Sequence, residues 1–362
     1  MEKIIIFGTG SRAEKVMRSI DFDKYELVAF LDNNIEKQGM LFRDLEIIAP
    51  SKLHQIDYDK IIICSTAYKS IFTQLTDQYN IKADKIADYL YFIKNRILNY
   101  YESKKCDRET RDVLDYLTKN SLSVFNYDYI DKYNNLSINV FFDDIINLYY
   151  VMHNGKKMYF SDRFKSEKDV NEYYCFLLME QDINSPHRYL TDEMEVDNGS
   201  IVVDAGAAEG NFTLDIIDKA AKVYIIEMDD GWIKALKETF KDYKDKVVFI
   251  NKYLSDIDDS NNITLDTLYK EAKFNFIKMD IEGYEWRTLK KAEEVLRTEN
   301  AIKFDICTYH RYEDFDNISK LLKEHEFNIK SSEGYMYFMH ENMYDETEPH
   351  LVRGLIRAVK NL

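Results

Sequence analysis

Short runs of β-branched and apolar residues alternate along this chain with stretches whose apolar positions recur every three or four residues. That pattern predicts buried parallel strands joined by helices. Lys3 to Phe7 is the first apolar run, and it leads through Gly8-Thr9-Gly10 into Ala13, Val16, Met17 and Ile20 at helical spacing. A second run, Glu26 to Leu31, ends in Asp32, and Lys60 to Ser65 continues the series. Between Tyr89 and Arg188 glycine nearly vanishes, and Ile93, Ile97, Tyr100 and Tyr101, then Val113, Leu114 and Leu117, predict a mostly helical connector. Asn154-Gly155 predicts a hairpin turn between Leu148–His153 and Lys157–Phe160.

A second α/β series follows. Ser200 to Asp204 predicts a strand, then Ala205-Gly206-Ala207-Ala208-Glu209-Gly210-Asn211 a loop, and Phe212, Leu214, Ile216 and Ile217 a helix. Further strands are expected at Lys222–Ile226, Lys246–Ile250, Phe274–Met279 and Ala301–Ile306. Asn328–Ser331 and Tyr335–Met339, hinged at Glu333-Gly334, predict a closing hairpin. In the tail beyond Glu341, Leu351, Leu355, Ile356 and Val359 fall at helical spacing. Five strand–helix steps and a hairpin make a seven-stranded sheet. The expected fold is therefore α/β throughout, with a small Rossmann-like domain at 1–90, a helical connector at 91–190 and a larger Rossmann-like domain at 191–362.

Composition narrows the function. With 362 residues, 45% hydrophobic and 31% charged, the chain can fill two cores. Its net charge of −16, with no local basic patch, disfavours a nucleic-acid partner. The longest uncharged apolar run, Tyr173 to Met179, is too short for a membrane span. Nor does Ile4–Phe7 make a secretory signal. Cys64, Cys106, Cys175 and Cys307 are widely spaced, as reduced thiols of a cytoplasmic protein would be. Abundant Lys, Asn, Ile and Tyr match the codon bias of an AT-rich bacterial genome.

Strand, glycine turn, helix, then a strand ending in an acid is the layout of a dinucleotide-binding unit. In Gly8-x-Gly10-x-x-Ala13 the glycines let backbone approach a phosphate where Ser11 and Arg12 begin a helix, and Asp32 can accept from a ribose. Phe7-Gly8-Thr9-Gly10, Ala29-Phe30-Leu31-Asp32-Asn33 and Asp59-Lys60-Ile61-Ile62-Ile63 resemble the amino-terminal domain of bacterial sugar O-acyltransferases. That resemblance implies a nucleotide or nucleotide-sugar ligand, although those enzymes carry His just after the turn, where this chain has Arg12 nearby.

The second loop is different. Asp204-x-Gly206-x-x-x-Gly210 is similar to the loop that class I methyltransferases wrap around the amino-acid part of S-adenosylmethionine. Its acid, Asp204, can hold an ammonium, and Glu227, at the end of the next strand, can accept from both ribose hydroxyls. Asp256 can meet the adenine amino group. The expected donor set is thus Asp204, Gly206, Ala207, Glu209, Gly210 and Asn211 with Glu227, Met228, Ser255, Asp256 and Asp280. Ile277-Lys278-Met279-Asp280-Ile281-Glu282-Gly283-Tyr284-Glu285 resembles the hallmark of the FkbM family of methyltransferases. Thr264-Leu265-Asp266, Ser185-Pro186-His187-Arg188-Tyr189 and Cys307-Thr308-Tyr309-His310-Arg311 fit the same family over about residues 165 to 340. The resemblance implies S-adenosylmethionine-dependent methylation of a hydroxyl on a sugar or another secondary metabolite, as in surface-glycan building.

Methyl transfer to oxygen requires in-line approach and removal of the hydroxyl proton. Asp280, Glu282, His310 and His187 are the candidates for that proton, and Arg188 and Arg311 for an anionic group of the acceptor. Glu285, in the first turn of a helix, is equally explained by the helix dipole. Trp232 and Phe240 fit a core better than an adenine platform. Asp280, Glu282 and His310 are metal-ligand types, but nothing in their spacing calls for a divalent metal. The rival readings are N-methylation of an amino group, an NAD-dependent sugar oxidoreductase working through the first loop, and a non-catalytic binding module. The helically spaced tail leaves a homo-oligomer open.

Overall fold

The computed structural model describes residues 1–346 and 348–361. The chain divides into two compact units: Met1–Asn126 with Met339–His350, and Tyr127–Phe338 with Leu351–Leu362.

In the first unit, strand β1 (Glu2–Phe7), helix α1 (Ser11–Met17) and β2 (Tyr25–Leu31) form the expected βαβ element. A hairpin of β3 (Leu41–Phe42) and β4 (Leu45–Ile48) was not signalled by the apolar pattern, because its residues are half exposed. With β5 (Lys60–Ile63) and β6 (Ile86–Asp88) the order is β3-β4-β2-β1-β5-β6, mostly parallel. Ile5, Phe7, Leu31, Ile61 and Ile63 pack one face against Ile71 and Leu75 around helix α2 (Tyr68–Thr73). Helices α3 (Tyr91–Glu102) and α4 (Arg108–Lys119) complete the unit, with Asp107 capping α4 by accepting from the Thr110 N–H at 2.7 Å. The late segment Met339–His350 is held by Arg96, whose guanidinium donates to the carbonyls of Ser19, Met343, Tyr344 and Glu346.

Residues 91–190 therefore do not make a separate helical connector. Their first part belongs to the first unit, and the second part opens the second unit with an antiparallel sheet of β7 (Phe141–Asp143), β8 (Leu148–His153) and β9 (Lys156–Tyr159). The turn between β8 and β9 is Asn154-Gly155, both left-handed at φ 48° and 81°, as the dipeptide predicts. Helix α5 (Glu167–Glu180) follows, capped by Ser166, which accepts from the Asp169 N–H at 3.1 Å.

The main sheet of the second unit is built from β10 (Ile201–Ala205), α6 (Asn211–Ile216), β11 (Lys222–Ile226), α7 (Asp230–Thr239), β12 (Val247–Ile250), a short β13/β14 pair (Tyr253–Ser255, Asn262–Thr264), α8 (Leu265–Ala272), β15 (Phe276–Met279), α9 (Glu285–Leu289), α10 (Glu293–Leu296), β16 (Ile302–Cys307), α11 (Asp314–Glu324), β17 (Asn328–Ser331) and β18 (Leu355–Lys360). The strand order is β12-β11-β10-β15-β16-β18-β17, with only β18 antiparallel to its neighbours. Counted along this sheet, that is 3-2-1-4-5-7-6, the seven-stranded Rossmann-like arrangement expected. Alternate residues of β10 serve opposite cores: Val202 faces Leu214, Ile216 and Leu236, while Val203 and Ala205 face Leu268, Leu289 and Leu322.

The closing strand is a correction. Tyr335–Met339 does not return beside β17; it makes a single bridge, Met336 to Val352, and the strand that pairs with β17 is Leu355–Lys360. Ile356 and Ala358 there fill one core and Leu355 the other, so the helical spacing of the tail was misleading. The chain leaves for the first unit at Met339 and returns before β18. A local apolar pattern carries no trace of such an excursion.

Candidate active site

The parallel strands β10, β11 and β15 end on one edge of the sheet, on either side of the point where chain order reverses, which is where open α/β sheets place ligands. A cavity of about 720 Å³ opens there. Its floor is the loop after β10. Gly206 has φ +71°, and a Cβ on it would collide with the Asp280 carbonyl oxygen. Gly210 has φ +82°, and a Cβ would lie 2.7 Å from Leu236 Cδ2. These two glycines let adjacent strand ends and the α6–α7 packing close up.

Glu227 ends β11 and lines the cavity. Its Oε1 accepts from the Met228 and Asp229 N–H groups, both at 2.8 Å, and its Oε2 from the Ala208 N–H at 3.0 Å. The carboxylate is thus fixed before any ligand arrives. Gly206, Ala207, Glu209, Asn211, Met228, Ser255 and Asp280 also line the space, with Leu254, Ile226 and Trp232 as apolar walls. Trp232 is both core and wall: it packs on Phe160, Phe164 and Tyr173, and the Arg163 guanidinium lies 4.6 Å from its ring. Phe240 is core, as expected.

Other expected donor contacts lie elsewhere. Asp204 is fully buried and does not line the cavity; Thr213 Oγ1 donates to its Oδ2 at 2.7 Å and Lys278 Nζ lies 3.3 Å from its Oδ1. Lys278 also donates to the Gly206 carbonyl at 2.7 Å, so it takes both acceptors that the loop offers an ammonium. Asp256 turns to Arg287, 3.1 Å away, rather than to the cavity. The register explains the Asp204–Lys278 pair. Asp204 on β10 stands beside Lys278 on β15, which stands beside Asp305 on β16, which stands beside Arg357 on β18. Acid and base alternate across four strands in one row. Asp305 is fully buried with neither oxygen hydrogen-bonded, and burial pushes its carboxyl up to about 7 although Arg357 opposes the shift.

Asp280 is the centre of the site. Tyr189 donates to its Oδ2 at 2.8 Å and Tyr309 to its Oδ1 at 3.0 Å, and both tyrosines line the cavity. Burial alone would raise the Asp280 carboxyl, but the His310 and Lys278 charges and the Tyr189 hydrogen bond outweigh it and hold it well below the usual carboxylate range. His310 sits behind, its Nε2 3.5 Å from Asp280 Oδ1 and 3.6 Å from Glu282, its Nδ1 3.0 Å from Glu285. Burial disfavours the charged ring, yet the Glu285 hydrogen bond and the Asp280, Glu285 and Glu282 charges raise it to about 9. At neutral pH His310 is an imidazolium, which cannot accept the acceptor's proton. Its two nitrogens thus lie between carboxylates, and Asp280, Glu285 and His310 each bring a metal-ligand type of atom within 4.8 Å of the others.

His187 is fully buried and does not line the cavity; burial drops it to about 4, so its ring is neutral. Its Nδ1 is 3.2 Å from Glu180 and its Nε2 3.9 Å from Asp280. Glu282 is the exposed rim of the cavity, in a left-handed conformation at φ +56° ahead of Gly283. The two arginines serve backbone instead of an acceptor. Arg188 donates to the Leu190 and Gln181 carbonyls at 2.6 and 2.7 Å, and Arg311 to the Gly283 carbonyl at 2.7 Å.

Two of the lining groups, Glu180 and Tyr173, carried no sequence signal. Glu180 and Glu209 both face the cavity, and burial raises both carboxyls, Glu180 well above the ordinary range with Asp280 and Glu209 adding to the shift. Tyr173 donates to Glu209 at 2.7 Å. Glu180 and Tyr173 lie on α5, inside the region read as a connector, and only the fold brings them here.

In the first unit, Gly8 has φ +106° and a Cβ there would lie 3.0 Å from the Cys64 carbonyl oxygen, so this turn too needs glycine. Gly10 precedes α1 at Ser11, and Arg12 lies 4.6 Å from the Tyr89 ring. Asp32 is engaged by its own unit: its Oδ2 accepts from the Thr9 N–H at 3.2 Å, the Thr9 hydroxyl at 2.6 Å and Lys37 at 3.1 Å.

Residues 204–329 match the family model of the methyltransferase FkbM domain. The matched stretch lies within the second unit and spans β10 to β17. Residues 1–87 match a different model, the C2185-like N-terminal domain. Among curated proteins, the "Probable ribosomal RNA small subunit methyltransferase A" of Methanococcoides burtonii is 26% identical over 154 residues, 40% of this chain and 55% of that protein. The chain thus spans about half the length of this relative. Solved structures include methyltransferase FkbM from Methylobacillus flagellatus, at 16% identity and TM-score 0.48 over 98% of this chain and 89% of that one. Trm5b from Pyrococcus abyssi gives 16% identity and TM-score 0.32 over 59% and 54%. It is the strand order described above that carries the fold of the second unit. Among the described residues, no helix is long and apolar enough to cross a membrane.

Proposed function

We propose that the chain is an S-adenosylmethionine-dependent methyltransferase that methylates a hydroxyl of a sugar or glycan precursor. The observation that carries the donor assignment is the charge of the cavity. Its wall holds six carboxyl groups, Glu180, Glu209, Glu227, Asp229, Asp280 and Glu282, against the bases Arg163, Lys252 and Lys278. Such a wall suits a ligand that brings two positive charges, an ammonium and a sulfonium. Glu227 would take the ribose hydroxyls with an already fixed carboxylate. Since Lys278 occupies Asp204 and the Gly206 carbonyl, Glu209 would take the ammonium side. Leu254, Met228 and Trp232 offer the apolar surface that an adenine needs. The bound donor would supply a methyl carbon activated by the sulfonium. Tyr189, Tyr309 and His310 keep Asp280 ionised and fixed, so it orients the acceptor hydroxyl and stabilises positive charge at the reacting centre.

The acceptor rests on chemistry and charge. A neutral polyol suits the acidic rim better than a phosphate backbone, which a net charge of −16 repels. The first unit would hold a nucleotide or nucleotide-sugar at Gly8–Arg12 and present it. An RNA acceptor, as named for the Methanococcoides relative, is the competing outcome.

The test is calorimetric titration with S-adenosylmethionine and S-adenosylhomocysteine, followed by methyl-transfer assays on nucleotide-sugars and on structured RNA. Micromolar donor binding that weakens tenfold or more in Glu227→Gln, with transfer to a sugar, supports the reading. No donor binding overturns it, and transfer to RNA alone replaces the acceptor.

A further inference from the structure

Asp280 is a poor base: its oxygens already take two tyrosine hydroxyls and face an imidazolium. Of the expected alternatives, His310 is itself charged, His187 is sealed behind the cavity wall, and Glu282 stands on the exposed rim. A methyltransferase acting on a hydroxyl still has to lose a proton from inside the cavity.

Glu180 is the group left facing the centre. It is the last residue of α5, where the unpaired carbonyls of the helix end add negative field to that of its neighbours. On its cavity side it feels Asp280, Glu209 and Lys278. Behind it, Oε1 lies 3.2 Å from the neutral ring of His187, whose far nitrogen is 3.7 Å from Cys307 Sγ and 3.9 Å from Asp280. Tyr173, Tyr189 and Tyr309 complete the surroundings as neutral hydroxyls, their acidity suppressed by burial. Among the described residues no Lys or Arg is paired with this carboxyl, since Lys278, the cation that it feels, is held by Asp204 and the Gly206 carbonyl.

We infer that Glu180 is the general base of the methyl transfer, switched on by the sulfonium of the incoming donor, with His187 as its positioning residue. This rests on the donor assignment above. Without donor, burial and the charges of Asp280 and Glu209 favour the protonated form of the Glu180 carboxyl that faces the cavity. The sulfonium supplies the missing positive charge and releases that proton to solvent, leaving a carboxylate. In the transfer the acceptor oxygen bonds the methyl carbon, the carbon–sulfur bond breaks with its electron pair returning to sulfur, and the hydroxyl proton passes to Glu180. The sulfonium charge is then gone, the carboxyl is again neutral, and the site is back in its resting protonation state. Donor charge and base strength are coupled, so the base is active only while a methyl group is there to be transferred.

This coupling can be measured without knowing the acceptor. S-adenosylmethionine and S-adenosylhomocysteine share adenine, ribose and amino-acid groups and differ in the methyl sulfonium. Calorimetry of each with the full chain, in buffers of differing ionisation enthalpy at pH 7, gives the protons released on binding. The expected result is that S-adenosylmethionine releases on the order of one proton more than S-adenosylhomocysteine. In Glu180→Gln that difference should vanish while S-adenosylhomocysteine binds within about threefold of the parent, which also shows that the variant is folded. In Glu209→Gln the difference should persist. Equal proton release from the two nucleosides, or a difference that survives in Glu180→Gln, overturns the inference and leaves the donor assignment standing. Failure of both nucleosides to bind overturns the donor assignment and this inference with it. Loss of S-adenosylhomocysteine binding in Glu180→Gln, with a normal melting transition, makes Glu180 a holder of the donor's amino acid and also overturns it.

Discussion

The two units contain the same local design with opposite outcomes. Each has a strand, a glycine turn, a helix and a second strand ending in an acid: Gly8 to Asp32 in the first, Gly206 to Glu227 in the second. In the first, one oxygen of Asp32 already takes both donors of Thr9 and the Lys37 ammonium. In the second, Glu227 is held by three backbone N–H groups and looks into a cavity. Backbone donors fix a carboxylate from behind and leave it free to meet a ligand, whereas a lysine neutralises it. The difference between an acid left open to a cavity and one that braces its own loop lies in who else reaches it.

The largest expected effect would break the comparison at the glycines. Gly206→Ala puts a Cβ into the Asp280 carbonyl and should cost on the order of 3 kcal/mol or more, seen as loss of the second unit's melting transition. Gly8→Ala, with a milder clash against Cys64, should cost roughly 1–2 kcal/mol in the first unit. An equal loss at both positions would contradict the closer strand approach assigned to the second loop.

The acids come next. Asp32→Asn should destabilise the first unit by about 1–2 kcal/mol through the loss of charge-assisted bonds from Thr9 and Lys37, with donor affinity unchanged. Glu227→Gln should weaken donor binding, and because both carboxylate oxygens accept backbone N–H groups it should also cost the second unit about 1–2 kcal/mol. Thermal melts beside calorimetry separate the two, and any effect of Asp32→Asn on donor affinity would show that the loops are not independent.

Smaller effects come from titration. His310 holds its proton more tightly folded, at about 9, than unfolded, near the ordinary 6.5. Its stabilisation is therefore complete below pH 6.5 and lost as pH rises towards 9. The corresponding fall in stability, on the order of 1–3 kcal/mol and seen as a lower melting temperature, should flatten in His310→Gln. His187, lowered to about 4, acts oppositely: its contribution is lost as pH falls from 6.5 to 4. Asp305, raised to about 7, favours the folded state below pH 4 and loses that advantage as pH rises to 7. Asp305→Asn should remove that slope, and a gain of roughly 1 kcal/mol at pH 8 is expected. Among the described residues the first unit carries no such buried acid row, so these slopes belong to the transition of the second.

The sequence by itself determined the two α/β units, their glycine turns, the Asn154-Gly155 hairpin and the parallel strands, because each is written in local spacing, apolar period and backbone freedom. It also placed Glu227 and Asp280 at strand ends, since the fold puts ligands there. The sign of each side chain's work was decided only by the tertiary structure. Asp204 was spent on Lys278 because strand register set them side by side. Asp256, Arg188 and Arg311 were drawn to partners distant in sequence or to backbone carbonyls. Glu180 entered the site from α5, whose own pattern shows only a helix. The β18 strand was hidden because the chain visits the first unit before forming it. A local pattern records what a segment can become; charge pairing, burial and pKa depend on which distant segments meet it.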